Sequence, residues 1–503
     1  MMESFSGSHI MSAPIRVAIR ADAGAALGMG HFARVSAVAD ALAVGDDVET
    51  LLVTNPEGTV HAPAYFPAGT KVVTLNPDEI DAEGSIRALD RLGWRPNVIL
   101  LDQYGSVPQW EVEAAKSDAR LVVLDDLDAA EMADVIVRPH GGARPENGGI
   151  LLGGPLYLPL SRDVIRLAKE RNPGNNSRPR INICFGGSDP TGETGKAVQA
   201  VTKLEQFDID LVLGPGTQLD PMLGDAVAQL PHVCLHRGLS QAKLAELMIE
   251  ADIALGAGGV MLWERLCLGI PSLVVSTASN QLPQIDSMIA AAAIRYLGHH
   301  SDVDPEIIAE EILSLAADKA QCSAYIDAGR KLVDGRGSLR LAAWVRALAL
   351  SWRDVQPGDA RDLLDWRTDE RNWQHNWGDS DKPEFAAHVA WLDKRIADPE
   401  CVFRIMMRGN DPVGVVRFDL NDGGSSAYLS IYLVPAWHGQ RIGLPVYYAA
   451  ERALRQSHPA VTRIVSRIHR ANAASERLHR DAGFEVWASY ERTDWLDAVK
   501  LLG

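Results

Sequence analysis

The sequence predicts an α/β protein in which two Rossmann-like units follow one another and an α+β domain comes after them. From residue 15 onward, short apolar runs alternate with helical patterns, which is typical of parallel sheets. A polar segment rich in Pro, Gly and Asn, KERNPGNNSRPR (169–180), interrupts the alternation, and a second series begins after it. Near residues 351–358 the pattern becomes strand-rich. The predicted divisions are a tail (1–13), two Rossmann-like units (14–168 and 169–350) and a third domain (351–503).

Composition narrows the class of protein. Of the 503 residues 47% are hydrophobic and 23% charged, which is ordinary for a globular protein, and the net charge of −17 argues against a nucleic-acid or anionic membrane surface. The five cysteines are scattered without a CxxC, so they indicate a reducing cytoplasm rather than disulfides or a zinc site. No apolar run reaches about 18 residues, and the N-terminal segment lacks the features of a secretory signal. We therefore expect a cytoplasmic protein that contacts neither membrane nor nucleic acid.

Short apolar runs predict the strands of the two units. In the first unit they are IRVAIR, TLLVT, KVVTL, NVILL, RLVVLDD and DVIVRP, and in the second INICFGG, IDLVLG, HVCLH, ADIALGAGG and PSLVVS. Such β-branched runs between helices predict a parallel sheet covered on both faces. Ligands of such sheets bind beyond the carboxyl ends of the strands, so the loops there are the candidate sites.

The first candidate loop is LGMGHFARV, which follows the first strand. Gly28 and Gly30 allow a ligand to approach the backbone closely, and a helix that begins near His31 favours an anion at that place. Imidazole titrates near neutral pH and can transfer a proton to or from a group beside a phosphate. The alternative is a glycine loop with an incidental histidine.

The second unit has three loops of a matching kind. CFGGSDPTGET holds Gly186, Gly187 and Ser188, and GAGGVMLWERLCLGIP holds Gly258 and Gly259. Glycine-rich turns bind phosphates through backbone N–H groups. One helical turn further on, the Glu264 carboxylate could accept the two ribose hydroxyls of a nucleotide, or it could be a solvated first-turn glutamate. TASNQ ends a strand with amide side chains.

Taken in order, LGMGHFARV, LDQYG, VVLDDL, CFGGSDPTGET, GAGGVMLWERLCLGIPSLVV and SNQ resemble the PseG family over roughly residues 14–345. These are UDP-2,4-diacetamido-2,4,6-trideoxy-β-L-altropyranose hydrolases of pseudaminic acid biosynthesis, with a GT-B fold related to MurG-type glycosyltransferases. The resemblance implies that water attacks the anomeric carbon without a metal, that His31 is catalytic, and that Tyr104 and Asn280 lie near the sugar. The residues implied in UDP binding are Gly28, Gly30, Gly186, Gly187, Ser188, Gly258, Gly259, Glu264 and Gln281.

Several residues of this region stay open or depart from the family. Asp102 either orients a partner of Tyr104 or caps a turn, and Asp125 and Asp126 are interpreted as capping residues rather than metal ligands. Val260 and Met261 stand where many relatives carry small hydroxyl residues, which leaves contacts with the diphosphate to the backbone.

The third domain contains two motifs. The turn Gln440, Arg441, Ile442, Gly443 lies between a strand and a helix, and its amides suit a pyrophosphate. Together with ANAASERLHRDAGF, which contains Asn472 and Ser475, it resembles the GNAT acetyltransferases over roughly residues 353–503. The resemblance implies acetyl-CoA as co-substrate, bound by these residues and by the backbone after Leu433 and Val434.

This domain also departs from its family. Pro445 replaces the last small residue of the turn, but near a helix start its missing N–H is often spare. His479 stands where many relatives have a tyrosine acid, so it is either the proton donor to the leaving thiolate or a half-exposed helix histidine. Trp373, His375 and Trp377 either line the acceptor site or pack in the core.

The pairing of the two resemblances implies a bifunctional enzyme. In the pseudaminic acid pathway a GNAT protein, PseH, acetylates the 4-amino group of a UDP-sugar, and the product is the substrate of PseG. We therefore expect a chain that binds a UDP-amino sugar and acetyl-CoA and runs both steps, as in flagellin glycosylation. The alternatives are a MurG-like glycosyltransferase, a hydrolase for another UDP-diamino sugar, or a nucleotide-sugar-binding protein with a degenerate GNAT module.

Overall fold

The computed structural model describes residues 13–24, 27–45, 47–105, 107–142, 149–171, 178–187, 189–214, 216–375 and 381–502. Most of the predicted tail, and part of the 169–180 segment, therefore lie outside the described residues. The chain builds three sheets, and each sheet is covered by helices.

The first sheet is parallel throughout, in the order β3-β2-β1-β4-β5-β6-β7. Its strands are β1 (Ile15–Ala21), β2 (Val48–Thr54), β3 (Lys71–Thr74), β4 (Val98–Asp102), β5 (Arg120–Leu124), β6 (Val135–Arg138) and β7 (Ile150–Gly153). Its helices are α1 (Gly30–Leu42), α2 (Pro56–Tyr65), α3 (Ala82–Arg91), α4 (Val107–Lys116) and α5 (Arg162–Glu170). The strand order reverses between β1 and β4: β2 and β3 are added on one side of β1, and β4 to β7 on the other. Ligand sites of open α/β sheets lie at such a switch point.

The second sheet repeats this plan in the order β10-β9-β8-β11-β12-β13, so its own reversal lies between β8 and β11. Its strands are β8 (Arg180–Cys184), β9 (Asp208–Leu213), β10 (Val233–Arg237), β11 (Ile253–Ala257), β12 (Ser272–Ser276) and β13 (Arg295–His299). The helices are α6 (Glu193–Val201), α7 (Pro221–Ala228), α8 (Gln241–Ile249), α9 (Val260–Leu268), α10 (Leu282–Ala290), α11 (Pro305–Ala317), α12 (Lys319–Leu332) and α13 (Gly337–Leu348). The expected pair of Rossmann-like units is confirmed.

The third sheet is mixed, in the order β14-β15-β16-β17-β18-β20-β19. Its strands are β14 (Ser351–Asp354), β15 (Cys401–Arg408), β16 (Asp411–Asn421), β17 (Ser426–Leu433), β18 (Arg463–His469), β19 (Glu485–Ala488) and β20 (Trp495–Leu501). The helices are α14 (Ala360–Thr368), α15 (Glu370–Trp373), α16 (Phe385–Ile396), α17 (Gly443–Ser457) and α18 (Ala473–Asp481). β17 and β18 run parallel but pair only over 426–428 and 463–465. Their carboxyl-terminal halves therefore diverge and leave an opening between them.

Helix α13 joins the first and third sheets into one hydrophobic core. Although it follows the second unit in the chain, it packs between α1 and α17, and one cluster of buried residues includes all three helices. The Trp344 ring stacks on Tyr448 with centroids 4.5 Å apart, and the Arg452 guanidinium donates to the Leu350 carbonyl at 2.7 Å. At the far side Arg346 donates to the Leu42 carbonyl at 3.0 Å.

These contacts fix the direction of the three helices. Higher residue numbers on α13 meet higher numbers on α17, and the C-terminal ends of α1 and α13 adjoin. The three helices are therefore parallel, and the N-terminal ends of α1 and α17 point to the same side of the molecule.

Candidate functional site

The loop after β1 and the loop after β4 meet at the reversal point of the first sheet. His31 is the second residue of α1, and its Nδ1 lies 2.6 Å from Oδ1 of Asp102, the last residue of β4. Both side chains are buried, His31 at 7% and Asp102 at 1% exposure. If Asp102 accepts the Nδ1 proton, Nε2 has a free lone pair and can accept a proton. The sequence left open which group Asp102 contacts, and the structure shows that it contacts His31.

A buried arginine extends this pair into a network. The Arg34 guanidinium donates to both oxygens of Asp102, at 3.0 and 2.7 Å, and to Asp126 at 2.7 Å. Burial opposes ionisation of Asp102, but the charges of Arg34 and His31 outweigh it and lower the pKa of this carboxyl. Burial likewise opposes the charge on Arg34, but Asp102 and Asp126 raise its pKa. Asp102 is therefore a permanent anion at neutral pH.

Tyr104 completes the first half of the site. Its ring makes an edge contact with the His31 ring, with centroids 4.5 Å apart, and its hydroxyl lies 3.4 Å from Asp126. Partial burial, together with the charge of Asp126, raises the Tyr104 pKa to about 12, so the phenol stays neutral. The side chain is 48% exposed, which leaves it accessible to a ligand.

The glycine turn after β11 lies at the reversal point of the second sheet. Two side chains hold the backbone carbonyls of this turn in place. Arg265 donates to the Ala257 carbonyl at 2.7 Å, and Gln284 donates to the Gly258 carbonyl. α9 starts directly after Gly259, and among the described residues no side chain caps its first turn. α1 likewise starts after Met29 without such a cap within the described chain. Two helix starts without a side-chain cap therefore belong to the site.

The two halves face each other at these helix starts. A Cβ atom placed on Gly30 would lie 3.9 Å from Cγ2 of Val260, the first residue of α9. Across the same gap, the pKa of Tyr65 is raised by burial and by the negative charge of Glu264. Burial raises the pKa of Glu264 to about 7, although the charge of Arg265 opposes the shift. The predicted cleft between the units is therefore lined by residues from both.

The loop after β8 differs from the expectation. α6 begins only at Glu193, and the Asp189 carboxylate accepts its first backbone N–H groups, those of Glu193 and Thr194, at 3.0 and 2.6 Å. The amino end of this helix therefore has a partner of its own and is not spare for a phosphate. Gly186 has a φ of 105°, and the loop after β9 packs on it. The predicted ligand Ser188 lies outside the described residues.

The two amides after β12 have different roles. Asn280 is exposed in a short 3₁₀ turn (Ser279–Gln281) and is accessible to a ligand. The Gln281 amide, in contrast, accepts from the Thr277 N–H at 3.0 Å and donates to the Thr277 hydroxyl at 3.0 Å. The predicted role of Gln281 in nucleotide binding would require these local bonds to break.

The opening between β17 and β18 is the candidate site of the third domain. α17 begins with Gly443 at the carboxyl end of β17, and a Cβ there would lie 4.0 Å from the Leu433 side chain and 3.7 Å from that of Leu478. Arg441 has a φ of 57°, a left-handed conformation that is rare for residues with a Cβ. Pro445 lies in the first turn of α17, where a missing N–H has no helical acceptor.

Several predicted acetyl-CoA contacts are already engaged within the chain. The Val434 N–H donates to the Val413 carbonyl at 3.2 Å, and the Val434 carbonyl accepts from Trp437 at 2.9 Å. The Leu433 carbonyl accepts from the Asn372 amide at 3.0 Å. The remaining polar side chains of the motifs are held nearby. The Gln440 amide donates to the Ala436 carbonyl at 2.8 Å, and the Asn472 side chain caps α18 by accepting from the Ser475 N–H at 3.0 Å.

His479 is not placed as the predicted proton donor. It is 2% exposed, and its Nδ1 lies 2.8 Å from the Ser475 carbonyl, so Nδ1 carries the proton. Nε2, 2.9 Å from the Ser466 hydroxyl, then accepts. Burial lowers the pKa of His479 to about 4, so the ring is neutral and its one proton is engaged. This geometry contradicts the prediction of an acid that protonates a thiolate.

The aromatic segment before residue 376 lies at the open end of the strands. The His375 and His469 rings are 5.8 Å apart, and His469 is the last residue of β18. Arg367 lies over the Trp373 ring at 5.9 Å. Trp377 lies outside the described residues, so the predicted acceptor lining is only partly placed.

Comparison with known proteins finds relatives of the C-terminal part, of the N-terminal part and of nearly the whole chain. Residues 350–485 match the acetyltransferase (GNAT) domain family, so the C-terminal part is a GNAT domain. The uncharacterized protein MJ1062 of Methanocaldococcus jannaschii is 22% identical over 97% of this chain and all of its own length. Spore coat polysaccharide biosynthesis protein SpsG of Bacillus subtilis is 23% identical, over 66% of this chain and 98% of its own.

A solved structure is similar to the N-terminal part. MurG of Acinetobacter baumannii covers 66% of this chain and 99% of its own at 12% identity, with a TM-score of 0.49. In the described residues, no helix is both long and apolar enough to cross a membrane. The molecule combines two Rossmann-like units with a C-terminal domain that matches the GNAT family.

Proposed function

We propose that this chain catalyses two consecutive steps on a UDP-linked amino sugar: N-acetylation by acetyl-CoA, then hydrolysis that releases UDP. The proposed acceptor is UDP-4-amino-4,6-dideoxy-N-acetyl-β-L-altrosamine. The product, UDP-2,4-diacetamido-2,4,6-trideoxy-β-L-altropyranose, is the substrate of the hydrolase, as in pseudaminic acid biosynthesis. The observation that carries the hydrolase is the buried His31–Asp102 pair beside two uncapped helix starts. The name of SpsG, a polysaccharide biosynthesis protein, supports a role in sugar synthesis. We place the reaction in the cytoplasm.

In the hydrolytic step His31 acts as the base. Asp102 accepts the Nδ1 proton and keeps Nε2 as an acceptor, oriented from β4. Nε2 takes a proton from water while the water oxygen attacks the anomeric carbon. The bond between that carbon and the phosphate oxygen breaks, and UDP leaves with the electron pair. The N–H groups at the starts of α1 and α9 stabilise the charge that develops on the diphosphate.

The remaining residues of the cleft bind the substrate. Glu264, one turn into α9, accepts hydrogen bonds from the ribose when it is ionised. Tyr104 and Asn280 are exposed from opposite units and contact the sugar. Gly28, Gly30, Gly258 and Gly259 contribute backbone rather than side chains, so the diphosphate can approach closely.

In the acetyl-transfer step the opening between β17 and β18 holds the pantetheine arm of acetyl-CoA. The pyrophosphate lies at the start of α17, where the turn 440–443 supplies N–H groups. The neutral sugar amine attacks the thioester carbonyl, the carbon–sulfur bond breaks, and the amine proton ends on the free thiol of CoA. His479 supports the fold of α18 and transfers no proton.

The parallel packing of α1, α13 and α17 supports one chain for both steps. The two candidate sites begin at the amino ends of α1 and α17, and both of these helices pack on α13. An intermediate released from one site therefore starts near the entrance of the other.

The test of the hydrolase is UDP release without any acceptor. We expect purified protein to release UDP from UDP-2,4-diacetamido-2,4,6-trideoxy-β-L-altropyranose in buffer alone, and His31→Gln to release almost none. A glycosyltransferase would release UDP only when an alcohol acceptor is added. If the wild-type protein needs such an acceptor, the hydrolase assignment is wrong.

A further inference from the structure

Three residues with metal-binding side chains lie together on the edge of the second sheet, away from both candidate sites. Asp210 on β9 pairs in register with Cys234 on β10, and His236 follows two residues later on the same strand. Residues opposite each other in a sheet point to one face, and so do residues two apart along a strand. The three side chains therefore share one face, and one donor atom of each lies within 4.8 Å of the others.

The donor set matches one class of ion. A thiolate, an imidazole and a carboxylate are ligands of zinc and of related divalent transition metals, whereas calcium and magnesium prefer oxygen ligands. His236 Nε2 lies 2.8 Å from Asp210 Oδ1. A tetrahedral ion with bonds of about 2.0 Å would need these atoms about 3.3 Å apart, a small rotation of either side chain.

The groups around the cluster hold the carboxylate in place and leave one of its oxygens toward His236. Arg180 donates to Oδ2 of Asp210 at 2.9 Å and leaves Oδ1 toward His236. The carboxylate and a Cys234 thiolate together offset the charge of the ion, and Arg180 holds the carboxylate in place. Asp210 is 2% exposed while Cys234 is exposed, so an ion can enter from the solvent side of edge strand β10.

A second observation points to the same place. Asn182 on β8 pairs in register with Asp210, so its side chain lies on the same face. It is 1% exposed, and neither its amide oxygen nor its amide nitrogen has a hydrogen-bond partner among the described residues. A buried primary amide without a partner is costly. A water bound to a metal could donate to its oxygen.

We propose that Asp210, Cys234 and His236 bind a zinc-class divalent ion, with a water in the fourth position that hydrogen-bonds to Asn182. The ion would join β10 to β9 and stabilise an edge strand that pairs on one side only. It takes no part in the hydrolytic or acetyl-transfer chemistry.

Cobalt binding by the full-length protein tests this directly. After removal of metals with a chelator, we expect one Co²⁺ per chain, a thiolate-to-cobalt charge-transfer band in the near ultraviolet, and loss of the band when Zn²⁺ is added. Cys234→Ser should abolish the band, and His236→Gln should weaken binding at least tenfold. Cys401→Ser, which changes a partly buried strand cysteine of the third sheet, is the control and should keep the band.

Thermal unfolding supplies a second measurement, which does not depend on the cobalt spectrum. Zn²⁺ should raise the Tm of the wild-type protein and of Cys401→Ser, because a ligand that binds only the folded state stabilises it. No charge-transfer band in the folded wild-type protein, or a band that Cys234→Ser retains, would overturn the proposal. In that case Arg180 and His236 are simply the ion-pair partners of Asp210.

Discussion

Two histidines, one in the first unit and one in the third domain, lie near the start or end of a helix and next to a candidate site, and they differ in their hydrogen-bond partners. Both are almost fully buried, at 7% for His31 and 2% for His479. His31 faces the carboxylate of Asp102 at 2.6 Å, whereas His479 is held by the neutral Ser475 carbonyl and Ser466 hydroxyl. Burial lowers the pKa of His479 and keeps its ring neutral. We predict that the carboxylate beside His31 is what separates the roles of the two histidines.

The largest expected effect is at His31. His31→Gln should lower the kcat of UDP release by about 10³, within the range that a lost general base costs. UDP binding, measured by calorimetry, should stay within twofold of wild type, and thiol release from acetyl-CoA should not change. His479→Gln is the control variant and should release UDP at about the wild-type rate. Full turnover in His31→Gln would contradict the proposed role of His31 as general base.

The next effect is at the partner of His31. Asp102→Asn keeps the size of the side chain but removes its charge, so we expect kcat to fall by about 10² with little change in KM, because the loss falls on proton transfer. Asp126→Asn is the matched control: it also binds Arg34 but does not contact His31. Equal losses in both variants would mean that Arg34, not the His31–Asp102 pair, is what the activity depends on.

A smaller effect concerns Glu264 and is seen as a pH dependence. Burial raises the pKa of this carboxyl to about 7, so it takes up a proton as the pH falls below that value. In the proposed role the ionised carboxylate accepts hydrogen bonds from the ribose, so UDP affinity should fall about tenfold per unit below pH 7. Glu264→Gln should bind weakly at all pH values. Measuring both proteins removes the titration of UDP itself, and parallel curves would contradict the role.

The smallest effect on activity is expected at His479. Loss of a proton donor would cost about 10²–10⁴ in rate, but we expect His479→Gln to keep acetyl transfer within about threefold. Its Tm should fall instead, because two buried hydrogen bonds are lost. A rate loss of 10² with an unchanged Tm would restore His479 as an acid.

The stability of the same variant has a predictable pH dependence. Burial lowers the His479 pKa from 6.5 to about 4, so between these values the unfolded chain binds more protons than the folded one. Stability then rises with pH through that window and is lost as the pH falls through it. The Tm of wild type should therefore drop more steeply from pH 6.5 to 4 than that of His479→Gln.

Local patterns in the sequence were enough for the alternation of strands and helices and for the glycine turns. They also predict His31 and Glu264 as site residues, because each motif is continuous in the chain. Arg34 was missed, since it reads as an ordinary polar residue of α1. Its role depends on Asp102 and Asp126, which come from two other strands. The open choice for Asp102 was decided by the same contact.

Long-range packing could not be predicted from local patterns either. The predicted second unit extended to residue 350, but its last helix, α13, packs on α1 and α17. Its apolar residues give no sign of which partner they meet. The burial of His479 has the same origin: Ser466, which binds its Nε2, comes from β18 rather than from its own helix.

The most direct test of the central claim follows both reactions in one tube. UDP-4-amino-4,6-dideoxy-N-acetyl-β-L-altrosamine is mixed with the full chain, and free thiol and UDP are recorded together, with and without acetyl-CoA. Two consecutive steps predict UDP release that depends on acetyl-CoA and lags behind the thiol. UDP release without acetyl-CoA, or thiol release that no UDP follows, would contradict the account.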